Sequence, residues 1–202
     1  LPTHYEGFAP RNYDDQYDGA VPASHALARS LNIPAVRSLR EHGIERTLRT
    51  LKAMGLHHVD RSADDYGLSL VVGGAESTLW ELTGAYASIG RILLQDHVLQ
   101  PVHSPYVLTD HPEPERDGGR PPLSVAAIHH TVLALQNLNR PELETGWQYF
   151  AGTEKIAWKT GTSFGHRDAW AIGFTDRFAV GVWTGNADGE GRPGLTGTLA
   201  AA

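Results

Sequence analysis

The run WKTGTSFGHRDAWAIGF, residues 158–174, holds the side chains best suited to chemistry. The chain has three lysines, Lys52, Lys155 and Lys159, against fourteen arginines, and Lys159 is followed directly by Thr-Gly-Thr-Ser. A solvated surface accepts arginine as readily, so a compact ammonium beside hydroxyls and bare backbone points to a binding cleft. Thr160 and Thr162, at alternate positions, can donate to a carboxylate, and Ser163 adds a third hydroxyl. Gly161 lets another backbone approach, and the Thr162 amide can face a developing oxyanion. A polar turn at a strand end would read the same way.

A second candidate is Ser30-Leu31-Asn32, at the break between two helical stretches. A serine and an asparagine two apart at a helix end can point into one cleft, the first relaying a proton and the second holding an amide. The alternative for Asn32 is capping, because it stands just before the Ile33-Pro34 helix start.

The elements that must position these residues fall into two groups. Residues 7–22 are rich in Pro, Gly, Asn and Asp and read as an extended loop. Ser24 reads as the N-cap of a short helix, and Pro34 suits the first turn of a second helix that Gly43 closes. Ile44, Leu48, Leu51 and Met54 form one helical stripe ended by Gly55; Leu79, Leu82, Tyr86 and Ile89 form another. Residues 109–122 read as a solvated loop, followed by the amphipathic run LSVAAIHHTVLALQNL. After Trp147 the pattern changes to short aromatic and β-branched runs, KIAWKT, DAWAIGFT and RFAVGVWTGN, the last two joined by a tight turn at Asp176-Arg177. These runs are apolar nearly throughout, which predicts a sheet covered by helices on more than one face, with Trp158, Trp170 and Trp183 in the core. GLTGTLAAA reads as the start of a closing helix. Helices first and a meander of strands last predict an α+β fold in one domain, residues 1–202.

Composition narrows the function classes. The chain is 41% hydrophobic and 20% charged, as globular proteins are. A net charge of −6 leaves no basic footprint for nucleic acid. No apolar run approaches the roughly 18 residues of a membrane span. With no cysteine, disulfides and thiolate metal sites are excluded. The eleven histidines include the doublets His57-His58 and His129-His130, whose side chains diverge instead of forming an (i, i+4) ligand pair. No metal and no cofactor is expected. Arg167 and Asp168 are expected to pair across a turn.

Ser-x-x-Lys, a Ser-x-Asn element and Lys-Thr-Gly are the three motifs shared by penicillin-binding proteins and class A β-lactamases. Ser30-Leu31-Asn32 and Lys159-Thr160-Gly161 stand in that family's order. With NYDDQYDGAV, ARSLNIPAV, YGLSLVVGGAESTLWELTGAYASIG, the 158–174 run and GVWTGNADGEGRPGLTG, the chain resembles the transpeptidase domain of class A penicillin-binding proteins over nearly its whole length. Arg167-Asp168-Ala169-Trp170 marks the 1C type. The resemblance implies a penicillin-binding-protein/β-lactamase-like fold, a helical region plus an antiparallel sheet, truncated at both ends. It implies a serine-type D-Ala-D-Ala transpeptidase acting on peptidoglycan stem peptides and inhibited by β-lactams. Its place would be the periplasmic side of the bacterial inner membrane, with a membrane tie only through a missing N-terminal anchor and a glycosyltransferase domain in the parent chain. By the same resemblance Ser30 shuttles a proton to the leaving amine, Asn32 holds the acyl chain, and Lys159 supplies charge. Thr160 and Thr162 would bind the terminal carboxylate, and the Thr162 amide would form half of an oxyanion hole.

One element departs from the pattern. The residues three before Lys52, Lys155 and Lys159 are Arg49, Gly152 and Ile156, so no Ser-x-x-Lys exists. Its place in the family lies upstream of Leu1, and truncation is the expected reason, with the isolated fragment inactive. A serine β-lactamase, or a non-catalytic relative that binds peptidoglycan or a partner, are the competing assignments.

Overall fold

The computed structural model describes residues 3–5, 7–94, 123–137 and 155–201. The sequence-predicted loop at 109–122 lies outside them. Residues 7–22 carry no regular element, as their composition predicts. Five helices follow: α1 (Ala23–Ala28), α2 (Asn32–His42), α3 (Ile44–Ala53), α4 (Ala63–Tyr66) and α5 (Leu79–Leu94), with a 3-10 helix at Gly67–Val72 before α5. Helix α6 (Val125–Gln136) precedes strands β1 (Ala157–Thr162), β2 (Asp168–Phe174) and β3 (Ala179–Gly185), and α7 (Gly197–Ala201) comes last. The strands form an antiparallel sheet in the order β1-β2-β3, with Lys159 opposite Ile172 and Thr162 opposite Ala169.

Side-chain alternation divides the sheet into two faces. Ala157 and Phe174 pack with Ile128, Val132 and Leu135 of α6 on one face. On that face α5 runs so close to β3 that a β-carbon at Gly181 would collide with Thr83 and Leu79. The other face carries Ala169 and Ala171 against Leu195 and Ala200, where α7 lies. Covering helices on both faces were expected, but the cover stops short of the β3 edge. Val180 and Val182 are exposed there, and so is Trp183, which was assigned to the core. Trp183 instead sits 6.4 Å from Trp170, centroid to centroid, and its indole N–H donates to Asp168 at 2.9 Å. An indole donor at the surface keeps its own partner, so β3 tolerates the aromatic there.

A second core joins the helices. Leu39, Leu48, Met54, Val59, Tyr66, Leu70 and Ala85 pack together, fed by the apolar stripe read from α3. Glu81, also buried, ties this core down: it accepts from the His57 amide at 3.0 Å and the His58 ring at 2.8 Å. At α1 the predicted boundary shifts. Pro22, not Ser24, is the N-cap, and no side chain caps the helix. Proline sets the entry dihedral without any cap bond, so the serine signal is overridden. The Asp176-Arg177 turn forms as expected, with Thr175 N–H donating to the Phe178 carbonyl at 2.8 Å.

Candidate active site

Two elements far apart in sequence meet at one hydrogen bond. The Lys159 ammonium on β1 donates to the Ser30 hydroxyl, 129 positions away, in the turn between α1 and α2. Lys159 also donates to the Thr160 carbonyl at 2.7 Å, so its head lies along the strand. Lys159 shares a face with Ala157, the face that α6 covers, and this brings it to the helices. Burial pushes the Lys159 amine below the ordinary lysine value, because desolvation penalises its charge. A lysine depressed in this way, touching a hydroxyl, is suited to holding and passing a proton.

Ser30 stands at this spot through an uncommon backbone. It has φ +53°, left-handed for a non-glycine residue. The Ser30 N–H donates to the Leu27 carbonyl at 3.1 Å and the Leu31 N–H to the Ala26 carbonyl at 2.9 Å. These are the two bonds of a Schellman closure, in which the left-handed position usually holds glycine. Leu31 and Ala26, at the two positions that often share an apolar contact in this motif, are both buried. The closure ends α1 sharply and leaves the Ser30 side chain exposed beside β1.

Asn32 does not cap. Helix α2 begins at Asn32 itself, with Leu31 as N-cap and no capping bond from either. The Asn32 amide donates to the Arg11 carbonyl at 2.8 Å. A carbonyl only accepts, so the Asn32 side chain must offer its NH2 there, and its oxygen is directed away.

The hydroxyls of the Lys-Thr-Gly-Thr run do not share the Lys159 face. Alternation places Thr160 and Thr162 opposite Ala171 and Ala169, on the side of α7. Ammonium and hydroxyls meet only along the edge of β1, which pairs with β2 alone among the described residues. Thr162 Oγ accepts from the Gly197 N–H at 2.9 Å, which leaves its own proton free to donate. Gly161 is exposed, and Ser163 Oγ accepts from the Asp168 N–H at 2.8 Å, which shapes the turn and leaves the Ser163 proton free to donate as well. Asp168 accepts from Trp183, a partner the sequence did not suggest.

Three participants escaped the sequence. Asn12, buried in the 7–22 loop, accepts from the Ile33 N–H at 3.2 Å. His166, at φ +55°, holds the turn after β1 by its ring nitrogen on the Leu195 carbonyl at 2.8 Å. Gly197 lies against the Gly161 backbone. Only Asn12 carried a signal, as an asparagine in a turn-forming loop, and nothing local could reveal its partner. Among the described residues no three His, Asp or Glu side chains gather as a metal-ligand set, and no helix is long and apolar enough to cross a membrane.

No protein-family model matches the chain. It is 34% identical over 190 residues to penicillin-binding protein 1C of Escherichia coli (strain K12), covering 94% of this chain and 23% of that protein. Over 189 residues it is 29% identical to penicillin-binding protein 1F of Bacillus subtilis (strain 168), covering 90% of this chain and 25% of that protein. Its homologues are class A penicillin-binding proteins. The chain spans about a quarter of the length of these curated relatives. The fold agrees: penicillin-binding protein 1A from Haemophilus influenzae superposes with a TM-score of 0.74 at 20% identity, covering 99% of this chain and 36% of that one. The PonA1 protein from Mycobacterium tuberculosis, solved in complex with penicillin V, superposes with a TM-score of 0.70 at 20% identity, covering 98% of this chain and 57% of that one. The chain thus has the α+β fold of penicillin-binding-protein transpeptidase domains.

Proposed function

We propose that this chain supplies the Ser-x-Asn and Lys-Thr-Gly walls of a D-Ala-D-Ala transpeptidase site in a longer class A penicillin-binding protein. The single observation that carries this reading is the Lys159–Ser30 hydrogen bond, which joins the strand motif to the inter-helix turn. In this reading an acyl peptide, or a β-lactam in its place, lies along the open edge of β1 as an added strand would. Its carboxylate meets the Thr160 and Thr162 hydroxyls, and the Thr162 amide faces the oxyanion. Ser30, paired with the depressed Lys159 amine, passes a proton to the departing amine of D-Ala. Asn32 holds the acyl amide with the part of its carboxamide not bound to Arg11. The nucleophile comes from a Ser-x-x-Lys element outside residues 1–202. A glycosyltransferase domain in the same parent and work on peptidoglycan at the periplasmic face of the inner membrane complete the proposal.

Gel labelling with a fluorescent penicillin tests it. The full-length protein should be labelled covalently, and residues 1–202 alone should not. Label on the isolated segment would overturn the assignment of the nucleophile. In the full-length protein Lys159→Ala should slow labelling by about 100-fold, the scale of a lost acid–base group. Unchanged labelling kinetics would remove Lys159 from the site.

A further inference from the structure

The backbone closure at Ser30 ends α1, but the start of α2 is not capped by its own residues. Helix α2 has no side-chain cap of its own, and its first turn presents backbone N–H groups with no partner inside the helix. One of them, Ile33 N–H, is satisfied from 21 positions away by the Asn12 carboxamide oxygen. Asn12 is 7% exposed, and its NH2 donates to the Gln16 carbonyl at 2.8 Å. Both ends of this buried amide are therefore used. The adjacent residue, Arg11, accepts the Asn32 amide with its carbonyl. On the outer side Arg29, the residue before Ser30, reaches Asp18 at 2.8 Å.

These contacts have one common effect. The 11–18 loop grips the turn from both flanks, while Ser30 sits in a left-handed conformation that its own chain does not favour. Asn12 supplies the acceptor that Leu31, the N-cap residue, has no side-chain group to offer. The loop closes on itself as well, with the Asp15 N–H on the Asn12 carbonyl at 3.1 Å and the Gln16 N–H on Asp14 at 3.0 Å. It thus acts as a preformed brace and not as a loose strap.

We propose that Asn12 is a positioning residue for the reaction: a remote cap that fixes the Ser30-Leu31-Asn32 turn against Lys159. This rests on the transpeptidase reading above, since it assigns Asn12 to the service of that site. Asn12 touches neither the Lys159 ammonium nor the Ser30 hydroxyl through any bond of its own, so it acts through the register of α2. Displacements of about 1 Å in such a group cost on the order of 100-fold in rate.

Two variants separate cap from volume. Asn12→Leu keeps the size and removes both hydrogen bonds; Asn12→Asp keeps the acceptor for Ile33 N–H. In the full-length protein, penicillin acylation should slow about tenfold or more in Asn12→Leu, on the scale that misplacement costs. The affinity of the preceding noncovalent complex should hold, and Asn12→Asp, which keeps the acceptor for Ile33 N–H but loses the donor to Gln16, should slow acylation less than Asn12→Leu. Equal acylation rate constants in Asn12→Leu and the unaltered protein overturn the proposal, as does a loss in affinity alone. A full-length protein that never reacts with penicillin defeats the transpeptidase reading instead, and hydrogen exchange then still tests the brace. The Ile33 amide of the unaltered chain should exchange slowly although it lies in the first turn of α2. Fast exchange at Ile33 in the folded chain overturns the capping role even where neither variant folds.

Discussion

Ser30 and Gly55 close their helices with the same pair of backbone bonds, and only one of them is a glycine. At Gly55 the N–H donates to Lys52 at 3.0 Å and the next N–H, of Leu56, to Leu51 at 3.1 Å; at Ser30 the partners are Leu27 and Ala26. Both residues have positive φ, +92° and +53°. The strain that α3 avoids with glycine is retained in α1, where the side chain meets Lys159. Strain kept at one of two equivalent positions marks the one whose side chain has work to do.

Ser30→Gly and Ser30→Ala should therefore diverge in stability and agree in function. Both lose the hydroxyl that Lys159 binds, so that loss cancels in the comparison. The left-handed backbone disfavours alanine but not glycine, offset in part by glycine's greater freedom when unfolded. Ser30→Gly should be the more stable by about 1 kcal/mol in denaturant unfolding. Penicillin labelling of the full-length protein should fall equally in both. Equal stability would mean that Ser30 is unstrained.

Lys159 gives a pH signature whose sign follows from its burial. Its folded pKa lies below the ordinary value of 10.5. Between the two values the unfolded chain binds the proton and the folded chain does not, so stability rises with pH across that window. Below it the cost of burying the charge is fully present. Measured against Lys159→Met, the unaltered chain should gain relative stability as pH climbs toward 10.5. A difference that stays flat over that range would mean that the amine is not desolvated.

Much of this was readable in the sequence, and what was not has a physical cause. The stripe Ile44, Leu48, Leu51, Met54 and the closing Gly55 are local signals, and α3 forms as they predict, with Leu48 and Met54 buried. Ser30 and Lys159 were legible as types and in order, and the fold brings them into contact. The facing of Thr160 and Thr162 was not foreseen, although strand alternation alone dictates it once Lys159 is assigned to the α6 side. Asn12 was illegible for a different reason. A cap normally precedes its helix directly, and this one acts across 21 positions. Trp183 misled because an aromatic strand residue looks the same whether a helix covers it or Asp168 holds its indole at the surface.

Glu81 predicts an acid-side effect. Burial pushes its carboxyl up, but hydrogen bonds from the His58 ring and the His57 and His58 backbone outweigh this, and the net shift is downward from 4.5. Its stabilisation is therefore complete above about 4.5 and disappears as pH falls through the lower folded value. Glu81→Gln should cost about 1–3 kcal/mol at neutral pH, the range for an impaired buried acceptor. Thermal unfolding should show that gap narrowing below pH 4.5. A gap that persists unchanged into acid would mean that the ionised form of Glu81 does not hold the 57–58 segment.

The contact of α7 with β1 depends on a missing side chain. A β-carbon at Gly197 would stand 2.6 Å from the Gly161 carbonyl oxygen and 2.8 Å from both the Gly161 nitrogen and the Thr160 β-carbon. Two of these neighbours are backbone, which cannot turn aside, so Gly197→Ala must lift α7 away from the strand. Overpacking of this kind costs about 1–3 kcal/mol. The lift also withdraws the Gly197 N–H from Thr162 Oγ, so the hydroxyl proposed above to meet a carboxylate loses its orientation. Thr198→Ala, on an exposed position of the same helix, should stay within about 0.5 kcal/mol of the parent. Denaturant unfolding of the two variants decides the matter: equal midpoints would mean that α7 does not bear on β1, and that Thr162 is oriented by something else.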